Sequence, residues 1–149
     1  MEKEVLLAIK GLSFAVDEEG SAQALETITA AEFYERGSSR YVIYDEVTEG
    51  FEDTTHNMIK FKDSLVEVTK KGLMNVHMVF EENKKNMTNY GTPYGNILIG
   101  IDTGKIKIEE TTDNISIYVD YTLEANYEHL ADCRIEMNIR NREDGMELQ

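Results

Sequence analysis

The chain has 149 residues, 29 of them acidic and 15 basic, which gives a formal net charge of −14 at pH 7. This length is about that of one domain and is sufficient to bury a core without disulfides or a structural metal. The strongly negative potential repels phosphate backbones and anionic lipid, so nucleic acid and membrane surfaces are poor partner candidates. A single cysteine and the lack of a leader-like apolar run lead us to expect a cytoplasmic protein.

The first half of the chain consists of short segments rich in β-branched and aromatic residues, a composition typical of strands. Residues 4–14 carry apolar side chains on both faces, as expected either of a strand that is covered on both sides or of one that a bulge near Gly11 interrupts. Residues 22–36 fit either a helix or a strand, and their β-branched and aromatic content favours the strand. We expect this strand to form a hairpin with the next. The further predicted strands of this half are residues 40–48, 54–62, 65–71 and 76–81.

The second half contains the only proline of the chain, in the segment Tyr90-Gly91-Thr92-Pro93-Tyr94-Gly95. Pro93 fixes its own φ and the neighbouring glycines allow positive φ, so this segment is predicted to form a defined corner. Residues 82–86 before it are polar and are predicted to form a loop. Alternating isoleucines then predict a strand from residue 97 that is interrupted at residues 102–104. Two long strands follow, separated by a turn at residues 126–131.

These segments predict an all-β fold in which roughly eight to ten antiparallel strands close into a barrel or a sandwich. No helical pattern is long enough for the crossover connections that parallel strands require. We expect residues 1–141 to form a single β-barrel domain and residues 142–149 to form a polar tail. A barrel of about eight strands is either filled by its own side chains or holds one small ligand.

The sequence contains no recognisable motif for catalysis or metal binding. The three histidines, His56, His77 and His129, fall on separate predicted elements, without a second histidine or a cysteine at zinc spacing. Cys133 shares a strand face with apolar residues, which indicates a buried apolar role rather than a nucleophile. We therefore expect no cofactor, no metal and no catalytic residue, and an enzyme is the least favoured class of function.

Polar residues within apolar strands are the candidates for ligand contacts. Glu46 and Lys70 would form an ion pair if both faced the interior, because a buried charge must be paired. The alternative is that both face solvent, which is the more common position for these residue types. The candidate ligand-binding residues are Glu46, Lys70, His77, Tyr94 and Tyr121.

Several segments, spread over nearly the whole chain, resemble the YwiB-like family of uncharacterised bacterial proteins. They are Val5-Leu6-Leu7-Ala8-Ile9-Lys10-Gly11, Tyr41-Val42-Ile43-Tyr44-Asp45-Glu46, Lys70-Lys71-Gly72, Met78-Val79-Phe80-Glu81, Tyr90-Gly91-Thr92-Pro93-Tyr94-Gly95 and Asp120-Tyr121-Thr122-Leu123. The resemblance implies a calycin-like barrel with eight antiparallel strands, similar to lipocalins and fatty-acid-binding proteins. It implies no function and brings no established binding residues.

Two hypotheses about function follow. The first is a β-barrel that binds a small, largely apolar molecule in its lumen, because polar residues within an apolar interior can orient a ligand. The second is an interaction or structural protein with a filled barrel, which docks a protein partner or a second copy of itself. The packing of the barrel interior discriminates between the two hypotheses, because bulky side chains that meet at its centre would leave no cavity for a ligand.

Overall fold

The computed structural model describes residues 2–16, 22–47, 50, 52, 54–72, 75–92 and 95–141. The predicted corner residues Pro93 and Tyr94 and the predicted tail at 142–149 lie outside the described residues. The strands are β1 (Glu2–Val16), β2 (Ala22–Arg36), β3 (Ser39–Val47), β4 (Thr54–Lys62), β5 (Leu65–Lys71), β6 (Val76–Glu81), β7 (Lys84–Thr92), β8 (Gly95–Glu110), β9 (Asn114–Ala125) and β10 (Glu128–Asn141).

All of these strands belong to one antiparallel sheet with the order β6-β5-β4-β3-β2-β1-β10-β9-β8-β7. The two outer strands of this order approach each other through a bridge between Asn75 and Gly91. The backbone amide of Asn75 donates to the carbonyl of Gly91 at 2.9 Å, and the amide of Gly91 donates back at 2.7 Å. The sheet therefore forms a nearly closed barrel, which confirms the predicted all-β class. The described part of the chain contains ten strands, which exceeds the eight that the family resemblance implies.

Three features of the second half differ from the prediction. The polar residues 84–86 belong to strand β7 and not to a loop, because pairing with β8 satisfies their backbone groups. The predicted interruption at residues 102–104 is a register shift between Thr103 and Lys105 within one continuous strand, β8. The turn predicted at 126–131 is limited to Asn126 and Tyr127, both with positive φ, and β10 begins at once at Glu128.

Alternating residues of the strands point into the barrel and form one apolar core. The largest fully buried side chains are Phe61, Phe80, Leu7, Ile59, Ile101, Ile117 and Ile135, each less than 2% exposed. A void large enough for water would leave accessible surface on the side chains around it. Their complete burial therefore means that the middle of the barrel is close-packed.

Strand β1 is irregular at Gly11, which agrees with the bulge, one of the two alternatives that the sequence left open, and the irregularity has a steric cause. The register with β2 shifts between Lys10 and Ser13. Gly11 has a φ of +93°, and a Cβ atom at this position would overlap the carbonyl oxygen of Arg134 on β10. Only glycine fits both the backbone angle and the close approach of the two strands.

A candidate binding site at one end of the barrel

An ion pair with one deeply buried member lies near the end of the barrel where the odd-numbered strands finish, and three neighbouring strands contribute to it. The Lys70 ammonium on β5 donates to Glu46 Oε1 on β3 at 2.9 Å and to Asn57 Oδ1 on β4 at 2.9 Å. Asn57 Nδ2 also donates to Glu46 Oε1 at 3.3 Å and to the carbonyl of Thr55 at 3.2 Å. The ion pair offered as a hypothesis from the sequence is therefore present, and both members face the interior.

The register of the strands explains why these side chains meet. Tyr44 pairs with Asn57 across β3 and β4, and Asn57 pairs with Lys70 across β4 and β5, so the three form one row on the inner face. Glu46 lies two residues beyond Tyr44 on that face, level with Thr55 and closer to the barrel end. We call Tyr44, Glu46, Asn57, Lys70 and Tyr90 the Glu46 cluster.

The two charges of the cluster differ in exposure. The Lys70 side chain is 4% exposed, whereas that of Glu46 is 32% exposed. A cation this deeply buried is costly unless it is paired and hydrogen-bonded, and Lys70 meets that condition through Glu46 and Asn57. Glu46 keeps contact with water at the barrel end.

Two phenol groups face the Glu46 carboxylate. Burial raises the pKa of Tyr44 well above its usual value, and the negative charge of Glu46 raises it further. The pKa of Tyr90 on β7 is raised by burial and then by the same carboxylate. The Tyr44 side chain is only 5% exposed, and its hydroxyl, which is not fully enclosed, makes no hydrogen bond to another described residue. Both phenols are therefore neutral at physiological pH, and that of Tyr44 is available to a ligand.

Apolar side chains on the opposite wall of this end are incompletely covered. Leu123 and Ala125 near the end of β9 and Cys133 on β10 pack against the core but are only partly buried, as is Tyr90. Burial raises the pKa of the Cys133 thiol, which makes it a poor nucleophile. The end of the barrel thus combines apolar surface with the polar groups of the Glu46 cluster.

The other end of the barrel also has a buried apolar layer. Its inward apolar residues are Val5, Phe33, Ile115 and Ile139, each 8% exposed or less. Arg40 lies over the Phe61 ring, 4.7 Å from its centre, and bonds Glu110 at 2.6 Å across the barrel. A shallow cavity of about 210 Å³ outside this layer has a mostly polar lining.

The remaining residues predicted as ligand contacts do not join the cluster. His77 lies on the outer face of β6, where its side chain is 56% exposed and sits 3.3 Å from Glu67. Tyr121 is buried deeper in the barrel, and its hydroxyl donates to the Gly11 carbonyl at 3.2 Å. Burial raises the Tyr121 pKa, with Cys133 adding to the effect. Tyr94 lies outside the described residues.

Asn57 and Tyr44 were not among the predicted contacts, although the sequence contains the signal for Asn57. It alternates with the outward residues of its strand and shares a face with Ile59 and Phe61, both fully buried. A polar residue in that series must find hydrogen bonds in the interior. The signal for Tyr44 is weaker, because buried tyrosines are common in cores.

Other kinds of site are not found in the part of the chain that is described. Its histidine, cysteine, aspartate and glutamate side chains form no group of three or more that could hold a metal ion. Nor does that part include a helix long and apolar enough to cross a membrane.

The architecture is that of an all-β barrel with antiparallel strands and a polar cluster at one end. The chain belongs to the family of DUF1934, a domain of unknown function, whose sequence profile matches residues 9–137. No curated protein matches the chain by sequence. The crystal structure of the ywiB protein from Bacillus subtilis is similar, with a TM-score of 0.76 and 16% identity over 94% of this chain and 92% of that one. The resemblance to the YwiB-like family is thereby confirmed, and at this identity the structural likeness concerns the fold alone.

Proposed function

We propose that the protein is a calycin-like barrel that binds a small, largely apolar molecule at the end formed by the Glu46 cluster. The observation that carries the proposal is the position of Lys70, a cation 4% exposed that is neutralised by a carboxylate 32% exposed. A buried ion pair rarely adds stability relative to apolar residues of similar size, so its presence favours a role beyond folding. Polar groups that converge beside apolar surface are typical of ligand sites.

The packing of the interior limits where the molecule lies. Ile59 and Phe61, the next inward residues after Asn57 on β4, are fully buried and leave no space below the cluster. The ligand therefore occupies the barrel end and contacts Tyr90, Leu123 and Ala125 with its apolar part. It is smaller than a molecule that would fill a hollow barrel, and it stays partly exposed.

The proposed setting is the cytoplasm, without nucleic acid or membrane partners. The single cysteine fits a reducing compartment, and the net charge of −14 disfavours binding to polyanions and to anionic bilayers.

Native mass spectrometry of protein purified from its own host tests the proposal. We expect an additional mass of a few hundred daltons relative to the denatured protein, because roughly such a mass fits a small site. The matched control is the double variant Glu46→Gln with Lys70→Met, which removes both charges and should lose the additional mass. A bare mass for the wild type under gentle conditions would count against a tightly held ligand.

A second candidate function is that of an interaction protein with a filled barrel, which docks a partner or forms a homodimer. The close-packed centre favours it, as do exposed apolar side chains near the same barrel end. Ile97 is 40% exposed, Leu130 57% and Tyr127 75%. A concentration-dependent dimer that Leu130→Glu abolishes, observed by light scattering, would support this candidate. A monomer at all concentrations would count against the homodimer.

A further inference from the structure

We propose that the Glu46 cluster selects a ligand whose head group donates hydrogen bonds and carries no negative charge, such as an ammonium or a hydroxyl group. This inference rests on the proposed function and specifies the ligand class. It distinguishes the site from one that would bind the carboxylate of an alkyl acid.

The order of the charges along the barrel axis is the first argument. Glu46 lies closer to the barrel end than the row of Tyr44, Asn57 and Lys70, and its carboxylate is 32% exposed. The Lys70 ammonium is 4% exposed and directs two of its donors at Glu46 and Asn57. A ligand that enters from the end therefore meets the carboxylate first. An anion that reached the ammonium would lie beside a like charge.

The free hydrogen-bonding groups of the cluster are the second argument. Glu46 Oε1 accepts from both Lys70 and Asn57, whereas Oε2 has no such partner among the described residues. The Tyr44 hydroxyl, in a side chain 5% exposed, is also without a partner there and can accept as well as donate. The unpaired groups are thus mainly acceptors, and a donor on the ligand would satisfy them.

The electrostatic environment gives the third argument. The ion pair contributes no net charge, and the chain as a whole carries −14. The Glu46 charge also contributes to the raised pKa of Tyr44 and of Tyr90, so its negative potential reaches both phenols. An anionic head group would be repelled on approach and again inside the site.

Three probes with the same six-carbon chain test the inference: hexylamine, hexan-1-ol and hexanoate. Each is titrated into the isotopically labelled protein at pH 7, and amide chemical shifts report both affinity and location. About 0.15 M salt screens the electrostatic interactions of surface charges beyond roughly 8 Å. We expect hexylamine and hexan-1-ol to shift amides of the Glu46 cluster, each with a Kd at least about tenfold lower than that of hexanoate.

Variants distinguish binding at the Glu46 cluster from a general electrostatic attraction of amines to an acidic protein. Glu46→Gln should bring the affinity for hexylamine close to that for hexan-1-ol. Tyr44→Phe keeps the ring and the ion pair, and it should weaken both donor probes even if Glu46→Gln folds poorly. The matched control is Glu67→Gln on the outer face, which removes the same charge and should leave all three affinities unchanged.

The outcomes distinguish the two proposals. If hexanoate shifts the same cluster amides with an affinity equal to that of the other probes, the head-group assignment is wrong and the binding function stands. If none of the probes shifts those amides, the binding function itself fails and the inference fails with it. If hexylamine alone binds and Glu67→Gln weakens it as much as Glu46→Gln, its binding is a surface charge effect and the inference is overturned.

Discussion

Removing Glu46 should destabilise the barrel more than removing Lys70, although the two side chains form one ion pair. Glu46→Gln leaves the Lys70 ammonium, 4% exposed, without an opposite charge. Lys70→Met leaves a carboxylate that is 32% exposed and still hydrated, and it places an apolar side chain of similar volume in the interior. The exposed fractions of the two side chains therefore predict unequal losses in the free energy of unfolding.

The magnitudes follow from the burial of each partner. Breaking a fully buried pair by removing one partner costs about 3–5 kcal/mol, and the partial exposure of Glu46 reduces this to about 2–3 kcal/mol for Glu46→Gln. Lys70→Met should cost about 1 kcal/mol or less, chiefly for the donor lost to Asn57. The double variant should lie within about 1 kcal/mol of the wild type, because two uncharged side chains replace the pair.

Urea unfolding at pH 7 measures these differences, provided that the m-values stay constant. For a chain of this size, Glu46→Gln should lower the Tm by about 4–12 °C. The matched control is Glu81→Gln, whose partner Lys84 is 3.0 Å away but 63% exposed, and it should cost less than about 1 kcal/mol. Equal costs for Glu46→Gln and Lys70→Met, or additive costs in the double variant, would refute the buried pair.

Three further predictions concern the barrel itself. Gly11→Ala should lower the free energy of unfolding by about 3 kcal/mol or more in urea, because a Cβ there would overlap a carbonyl oxygen. Gly37→Ala should lower it by only about 1 kcal/mol, because Gly37 has a φ of +64° but open space around it. Equal costs would mean that the steric argument is wrong. Thr103→Val should raise the free energy of unfolding by about 1 kcal/mol in the same assay. In the described part of the chain, the Thr103 hydroxyl is the one fully buried side-chain polar atom without a hydrogen-bond partner. A loss of stability would contradict this reasoning. The Cys133 thiol should react with a disulfide reagent at pH 8 several-fold more slowly in the folded than in the unfolded protein, because burial raises its pKa, and equal rates would contradict the burial.

Much of the fold could be predicted because strict alternation leaves few choices. Strands β4 and β5 have the predicted bounds, since a two-residue connection at Asp63 and Ser64 lies between two clearly alternating runs. Strand β7 was missed because its composition is polar and its outward residues face solvent. Its extended conformation depends on backbone pairing with β8, which leaves no pattern of buried side chains in the sequence.

The candidate site was harder to predict, because it depends on which strands become neighbours. Glu46 and Lys70 are 24 residues apart, and only the β3-β4-β5 order places them together. The alternation of β5 places Lys70 on the same face as Val66 and Val68, both fully buried, whereas its residue type favoured a position in solvent. His77 had equally suggestive neighbours, yet the alternation of β6 directs it outward.

A crystal structure of the protein purified from its own host, without added ligand, tests the central claim most directly. We expect density for a small molecule at the barrel end, with a donor group within hydrogen-bond distance of Glu46 Oε2 and the Tyr44 hydroxyl, and its apolar part against Leu123 and Ala125. Lys70 should remain bonded to Glu46 and Asn57 beneath it. A barrel end closed by its own side chains, or a Lys70 side chain directed into solvent, would contradict the account.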